Sequence, residues 1–527
     1  MERVRESNMI QDSVAKDRSQ ARSMVITQSG VIATSQTLAS QAGAQVLARG
    51  GSCIDAAIAA NAVLSVVEPM MCGLGGDLFA IYRDGKTGTL TGINASGYAP
   101  KALTLEYLNS IVPAAGIHSV TIPGGVDGWA KLHGRFGKLP WEDLFQPAMY
   151  YADRGFPLTE LIQYDWEHEQ AKLTEGLFLR NGHAPHVGEI FRNPQLGSAY
   201  RILAKEGPAA LYHGELAAAI LRTSQRLGGT MSAEDLRDFS SEWIEPISTT
   251  YRGWEIYQIP PNGQGIGALE MLNIMENFDI PSMDPLSAEA YHLKIEAQKL
   301  AFADQRRYIA DLRFSDVPIE KMLSKDYAAR QAATIGHTIY LAAADREGNL
   351  VSFIQSISDV WGSGVVVDDF GFHLHNRGSA FSADPSHPNA LAPRKRPYHT
   401  IIPGFMQRDR VHIAFGIMRG LNQAQAHAQF VSNMVDHGMN IQAALEAPRF
   451  TKMTLGGRDV RIEGRVPLST REELKRRGHD LEVLGDYSGL VGGGQAVMRD
   501  SSTGVNYGAS SPRKDGAAIP EPDPYWS

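Results

Sequence analysis

Residues 336–364 read GHTIYLAAADREGNLVSFIQSISDVWGSG. An apolar run opens at Thr338 and reaches Ala344, Asp345 to Asn349 make a polar turn containing Gly348, and a second apolar run covers Leu350 to Ile357. Two short apolar runs joined by a tight polar turn predict a β-hairpin buried on at least one face. Thr338 sits at the mouth of this hairpin. Threonine is an ordinary strand residue, and in an uncut chain it has no special chemistry there. A chain cut before it would make Thr338 N-terminal, giving it a hydroxyl nucleophile and its own base, an α-amine with a pKa of about 8. Ser356 and Ser358 lie on the second run. If that run stays extended, both hydroxyls point to one face, within reach of Thr338.

Outside the hairpin, the 527 residues allow about two to four domains or one large two-layer enzyme. A net charge of −8 gives no general attraction for nucleic acid or an anionic membrane. The Ala-rich stretch 53–67 is interrupted by Asp55 and ends at Glu68-Pro69, so it is too short and too polar to span a bilayer. Residues 1–24 mix charged and polar groups without an apolar signal core, and they read as a flexible leader on a cytoplasmic protein. Cys53 and Cys72 are the only cysteines, which argues for small core residues and against a disulfide framework.

Val25 to Thr34 reads as a strand, followed by a helix stopped at Gly50-Gly51 and a second helix capped by Ser52. Residues 250–261 read as one strand, and 292–311 as an amphipathic helix. Several motifs fail on inspection. DGKTG at 84–88 lacks the upstream glycine of a phosphate loop, because Ala80 stands there. The glycines at 263, 265 and 267 follow a proline pair and have no acidic partner for a dinucleotide. His373 and His375 alternate on a strand and lack a third ligand nearby, and no GxSxG elbow occurs. Neither a metal nor another cofactor is therefore expected. Gly416 and Gly420 frame a loop able to offer N–H groups to an oxyanion, and Arg377 and Arg419 are suited to a substrate carboxylate.

Taken together, an ordered set of stretches resembles the gamma-glutamyltranspeptidase family of N-terminal nucleophile hydrolases. They are GGSCIDAAIAAN (50–61), GLGGDLF (73–79), PGGVDGW (123–129), LPWEDLFQPA (139–148), the hairpin itself, WGSGVVV (361–367), RKRPYHTIIPG (394–404), EAPRF (446–450) and YGASSPR (507–513). The resemblance implies an α+β fold, an αββα sandwich of the N-terminal nucleophile hydrolase type. It also implies a proenzyme cut before Thr338 into fragments 1–337 and 338–527, which share one αββα domain.

Carried over position by position, the resemblance makes Thr338 the nucleophile and Ser356 its hydroxyl support, with Arg419-Gly420 at the oxyanion loop. Arg377, Ser358, His399, Thr400 and Asn376 fall in the substrate-binding positions. The departures form a pattern. Ile339 replaces a second threonine, Ser96 an arginine that binds the glutamyl carboxylate, and Ala380 the aspartate that binds the glutamyl amine. A pocket without partners for an amine rejects that amine, whereas the added arginines favour an anion. The chain thus looks closer to the cytoplasmic branch that includes oxamate amidohydrolase, with a cephalosporin-type acylase as a further reading. The expected function is cleavage of a small carboxylate-bearing amide, oxamate-like or gamma-glutamyl, through an acyl-enzyme. The alternative is an uncleaved, non-catalytic relative acting as a binding or structural protein. Expected partners are the small acid amide and the two fragments of the chain itself, without nucleic acid or membrane; a homo-oligomer is left open.

Overall fold

The computed structural model describes residues 20–168, 170–173, 176–179, 181–328, 336–337, 340–452 and 457–524. The hairpin forms as Leu341–Ala344 and Leu350–Ser356, antiparallel, with Leu341 opposite Phe353 and Ala344 opposite Leu350. Every residue of both strands is buried, so the hairpin is covered on two faces. That follows from its composition: Ala, Leu, Val, Phe and Ile stand at positions facing either way, as in a strand sandwiched between layers.

The hairpin lies at the centre of a seven-stranded sheet. Its order is Ala517–Pro520, Val31–Thr34, Leu341–Ala344, Leu350–Ser356, Asp77–Arg83, Leu90–Ala95 and Glu242–Ile244. A second seven-stranded sheet runs Val25–Thr27, Val505–Ser510, Gly494–Asp500, Val411–Ile417, Gly404–Arg408, Trp254–Gln258 and Ile247–Tyr251. Between the sheets lies an apolar layer containing Ala33, Phe79, Ile81, Tyr340, Ala342, Ile354, Phe405, Ala414 and Val497. Helices Thr37–Ala48 and Cys53–Val67 cover the outer face of the first sheet. Helices Gly265–Met275, Ala288–Tyr308, Asn422–Val435 and Ile441–Glu446 cover the second. The architecture is the αββα sandwich, an α+β fold.

Local chemistry explains the helix packing under the hairpin. Ser52 Oγ accepts from the Asp55 N–H (3.2 Å) while Asp55 Oδ2 accepts from the Ser52 N–H (2.8 Å), a reciprocal cap that starts Cys53–Val67. That helix is buried along its whole length, which its small side chains permit. Both cysteines are buried and free.

Three sequence expectations need revision. Val25 to Thr34 is two strands in different sheets, because the chain bends at Gln28-Ser29, where the Ser29 N–H donates to Thr27 Oγ1. Residues 250–261 contain a turn at Arg252-Gly253 between the paired strands Ile247–Tyr251 and Trp254–Gln258. The second hairpin strand ends at Ser356, and Ser358 has a φ of +80°, so the two serines do not alternate on one extended face. Of the stretch read as a leader, residues 1–19 lie outside the described residues. Within 20–24, Arg22 donates to Ser510 O and Asn440 Nδ2 to Gln20 Oε1. Among the described residues no helix is long and apolar enough to cross a membrane.

Candidate active site

Thr338 and Ile339 lie outside the described residues, but the backbone on either side is placed. Gly336–His337 forms a short antiparallel ladder with Gly420–Leu421, with His337 opposite Gly420. The candidate oxyanion loop therefore lies against the residue that precedes Thr338. Gly420 O accepts from Gln264 Nε2 (3.0 Å) and Gln423 Nε2 (3.2 Å), which hold the loop in place. Arg419 adopts φ +86°, a left-handed conformation unfavourable for a residue with a side chain. Gly416 does not frame the loop as expected. It lies inside strand Val411–Ile417, opposite Gln495, where a Cβ would stand 2.3 Å from the Tyr340 ring. Its place is a close approach between the two sheets.

Ser356 closes the second hairpin strand and pairs with Asp77, the first residue of the neighbouring strand. Its Oγ accepts from the Ser358 N–H (2.8 Å). Gly75, just ahead of Asp77, passes so near His373 that a Cβ would lie 2.2 Å from its carbonyl oxygen. The glycine loop thus brings three segments together behind Ser356.

Asp77 is the residue that the sequence reading missed. It is fully buried, and its Oδ2 lies 2.9 Å from His399 Nε2, 3.0 Å from Arg377 Nε and 3.3 Å from His375 Nδ1. Oδ1 accepts from the Gly97 N–H (3.2 Å). Burial works to raise its pKa, but His375, His399 and Arg377 together hold it well below the usual carboxylate range. His399 is pushed down to about 3, first by burial and then by the Arg377 charge, so it is neutral near pH 7. Its Nδ1 accepts from the Ile401 N–H (3.3 Å), which leaves the hydrogen on Nε2 to be donated to Asp77. His375 is likewise lowered, chiefly by burial, and donates from Nε2 to Thr121 O (3.0 Å). The charge that balances Asp77 at neutral pH is therefore Arg377, with His399 adding a neutral N–H.

Arg377 is not the free guanidinium expected from the sequence. Nε is held by Asp77, Nη1 donates to Thr400 Oγ1 (2.8 Å), and Nη2 is buried without a hydrogen-bond partner among the described residues. Thr400 is thus tied to Arg377. Both ring nitrogens of His399 are used inside the protein and the ring packs on Phe79 (4.7 Å between centroids), so His399 is corrected from a substrate contact to a buried support. The same correction applies to Asn376. Its Nδ2 donates to Asp359 (2.7 Å) and Ala114 O (2.8 Å), and its Oδ1 accepts from the Asp359 N–H. Ala380 ends the short helix Arg377–Ala380, and Ser96 Oγ is bonded to Asn94 (2.7 Å). His373 packs at a tilt against Phe178 and Trp361, away from the Asp77 cluster that holds His375.

Comparison with known proteins finds relatives along nearly the whole chain. A family profile described as gamma-glutamyltranspeptidase matches residues 39–521. The glutathione hydrolase-like YwrD proenzyme of Bacillus subtilis is 38% identical, the match covering 94% of this chain and 99% of that protein. The oxamate amidohydrolase proenzyme of Klebsiella pneumoniae is 33% identical over 93% of this chain and 98% of its own length. Among solved structures, the cephalosporin acylase from Bacillus halodurans superposes with a TM-score of 0.89 at 40% identity, covering 97% of this chain and 98% of that one.

Proposed function

The chain belongs to the gamma-glutamyltranspeptidase family, and from that premise we propose a self-processing amidohydrolase that cleaves a small carboxylate-bearing amide through an acyl-enzyme on Thr338. Relatives named as glutathione hydrolase-like, oxamate amidohydrolase and cephalosporin acylase support an amide-cleaving enzyme made as a proenzyme. In this reading the peptide bond between His337 and Thr338 is cut first, which frees the threonine α-amine. Thr338 Oγ then attacks the substrate's amide carbon as the amine takes the hydroxyl proton. The C–N bond breaks, the departing amine or ammonia receives that proton, and an ester links Thr338 to the acyl group. Water, deprotonated by the same amine, hydrolyses the ester and restores the hydroxyl. N–H groups of Arg419-Gly420, opposite His337, are suited to the developing oxyanion.

The observation that carries the choice of substrate is the Nη2 of buried Arg377, which has no partner among the described residues, beside Thr400 and anchored through Asp77 next to Ser356. A buried N–H without a partner is unfavourable by about 1–3 kcal/mol, so a substrate carboxylate oxygen placed there gains more than at a solvated arginine. No counterpart to the lost amine-binding aspartate stands at Ala380. The test has two readouts. Denaturing electrophoresis of the wild type is expected to give two bands in place of one at 57.5 kDa, with Thr338 at a new N-terminus, and Thr338→Ala to give one. Ammonia release from oxamate is expected to exceed aniline release from a gamma-glutamyl anilide. An intact wild-type chain without amidase activity overturns the enzyme reading, and the reverse substrate preference overturns the anion-selective pocket.

A further inference from the structure

Helix Ala288–Tyr308, the later turns of helix Asn422–Val435 and helix Ile441–Glu446 enclose a cavity of about 360 Å³. Asn433 lies eleven positions beyond Asn422, the first residue of its helix. At a helical rise of ~1.5 Å per residue this places it about 16 Å from the oxyanion loop. The cavity is a different place from the candidate active site.

Two mostly buried polar side chains stand in its wall. Lys294 is 4% exposed and Asn433 7%, and neither the ammonium of the first nor the side-chain amide of the second has a hydrogen-bond or ion-pair partner among the described residues. Neither head group is sealed from the cavity, and a mostly buried cation there gains from an opposite charge placed beside it. The charged and titratable groups near Lys294 do not supply that charge. Asp436 is the acid that acts on Lys294, but its carboxylate already accepts from Arg252 (2.7 Å), Tyr251 (2.6 Å) and Ser432 (2.6 Å). His437 is lowered to about 4, chiefly by burial, and so is neutral; Asp284 acts on His437. Arg465, in the cavity wall, adds a second positive charge, fixed by Glu446 O (2.7 Å) and Glu463 (3.2 Å). Burial lowers the Lys294 amine to about 8, which still leaves it roughly nine-tenths protonated at pH 7.

The cavity wall therefore includes a cation and a neutral amide donor, while Leu286 and Met439 provide apolar wall. We propose that it is a second binding site, for a small monocarboxylate with a compact apolar body. One carboxylate oxygen meets the Lys294 ammonium, the other accepts from Asn433 Nδ2, and the hydrocarbon part lies against Leu286 and Met439. Lys294 belongs to region 1–337 and Asn433 to region 338–527, so the ligand contacts both sides of the expected cut.

Isothermal titration with benzoate, and with benzamide as the neutral isostere, tests the proposal. Wild type is expected to bind benzoate saturably at pH 7. Lys294→Met is expected to lose at least about ten-fold in affinity, with amide turnover at Thr338 unchanged. Benzamide is expected not to bind, and raising the pH from 7 to 9 is expected to weaken benzoate as the amine loses its proton. A second measurement needs no variant: benzoate should protect Lys294 from acetylation at pH 8, mapped by mass spectrometry. Benzoate binding that is equal in wild type and Lys294→Met reports the active site alone and overturns the proposal. So does an absence of saturable binding, or acetylation of Lys294 at the same rate with and without benzoate.

Discussion

Asp77 shows how one buried charge organises a site. Its carboxylate receives Arg377 and His399, and through Arg377 it positions Thr400. Asp77→Asn removes the carboxylate that is hydrogen-bonded to the buried Arg377 guanidinium, and breaking a buried ion pair from one side costs about 3–5 kcal/mol. Denaturant unfolding at pH 7 is expected to show a loss of that order, together with a rise in KM for carboxylate-bearing amides. The pH dependence follows from the sign of the shift. Asp77 has its folded pKa depressed, so its stabilisation is full above the unfolded value of about 4 and declines as pH falls toward the folded value. The gap between wild type and Asp77→Asn should therefore be constant from pH 7 to 5 and narrow below about pH 4. A gap that does not change with pH would mean that Asp77 acts by shape and not by charge.

At the level of elements, the hairpin was legible because period, turn and composition agree. Leu341–Ala344 and Leu350–Ser356 fall within the runs that the sequence marks, and the Asp345–Asn349 turn falls between them. At the candidate site a family motif pointed to Ser356 and Gly420, which lie opposite Asp77 and His337. The cluster around Asp77 was hidden because its partners are 300 and 322 positions away along the chain. The visible signal was a charged residue opening a fully buried strand, which requires a partner somewhere. Gly416 shows the converse error. A glycine near an expected oxyanion loop suggests backbone donors, yet its neighbour is the ring of Tyr340, which crosses between sheets and donates to Ser352 (2.8 Å). Gly416→Ala would push a methyl into that ring. Overpacking of this kind costs about 1–3 kcal/mol. Because Tyr340 is two residues from Thr338, self-cleavage is expected to slow as well, measured as persistence of the full-length band. Unchanged stability and unchanged cleavage would overturn the packing argument.

On the scale of the whole molecule, buried histidines and interleaved strands make further predictions. His373, His399 and His427 are fully buried and held at about 3 by desolvation first. The unfolded chain takes up protons on these groups below about pH 6.5 while the folded chain does not, so stability falls with pH. The loss is about 2 kcal/mol per histidine between pH 7 and 5, readable in the pH dependence of the unfolding midpoint. The strand order sets what cleavage can do. In the first sheet the 341–356 hairpin is inserted between Val31–Thr34 and Asp77–Arg83, both from region 1–337. In the second, four strands from region 338–527 are flanked by Val25–Thr27 on one side and Trp254–Gln258 on the other. A cut before Thr338 breaks none of these ladders, so the fragments should co-elute in gel filtration and separate only in denaturant. Either fragment alone would expose several strand edges and the apolar layer between the sheets. After separation in guanidinium and dilution one at a time, neither is expected to recover native circular dichroism, whereas the mixture should. A large fragment that folds by itself would show that the hairpin is an addition to a finished sheet and not its centre.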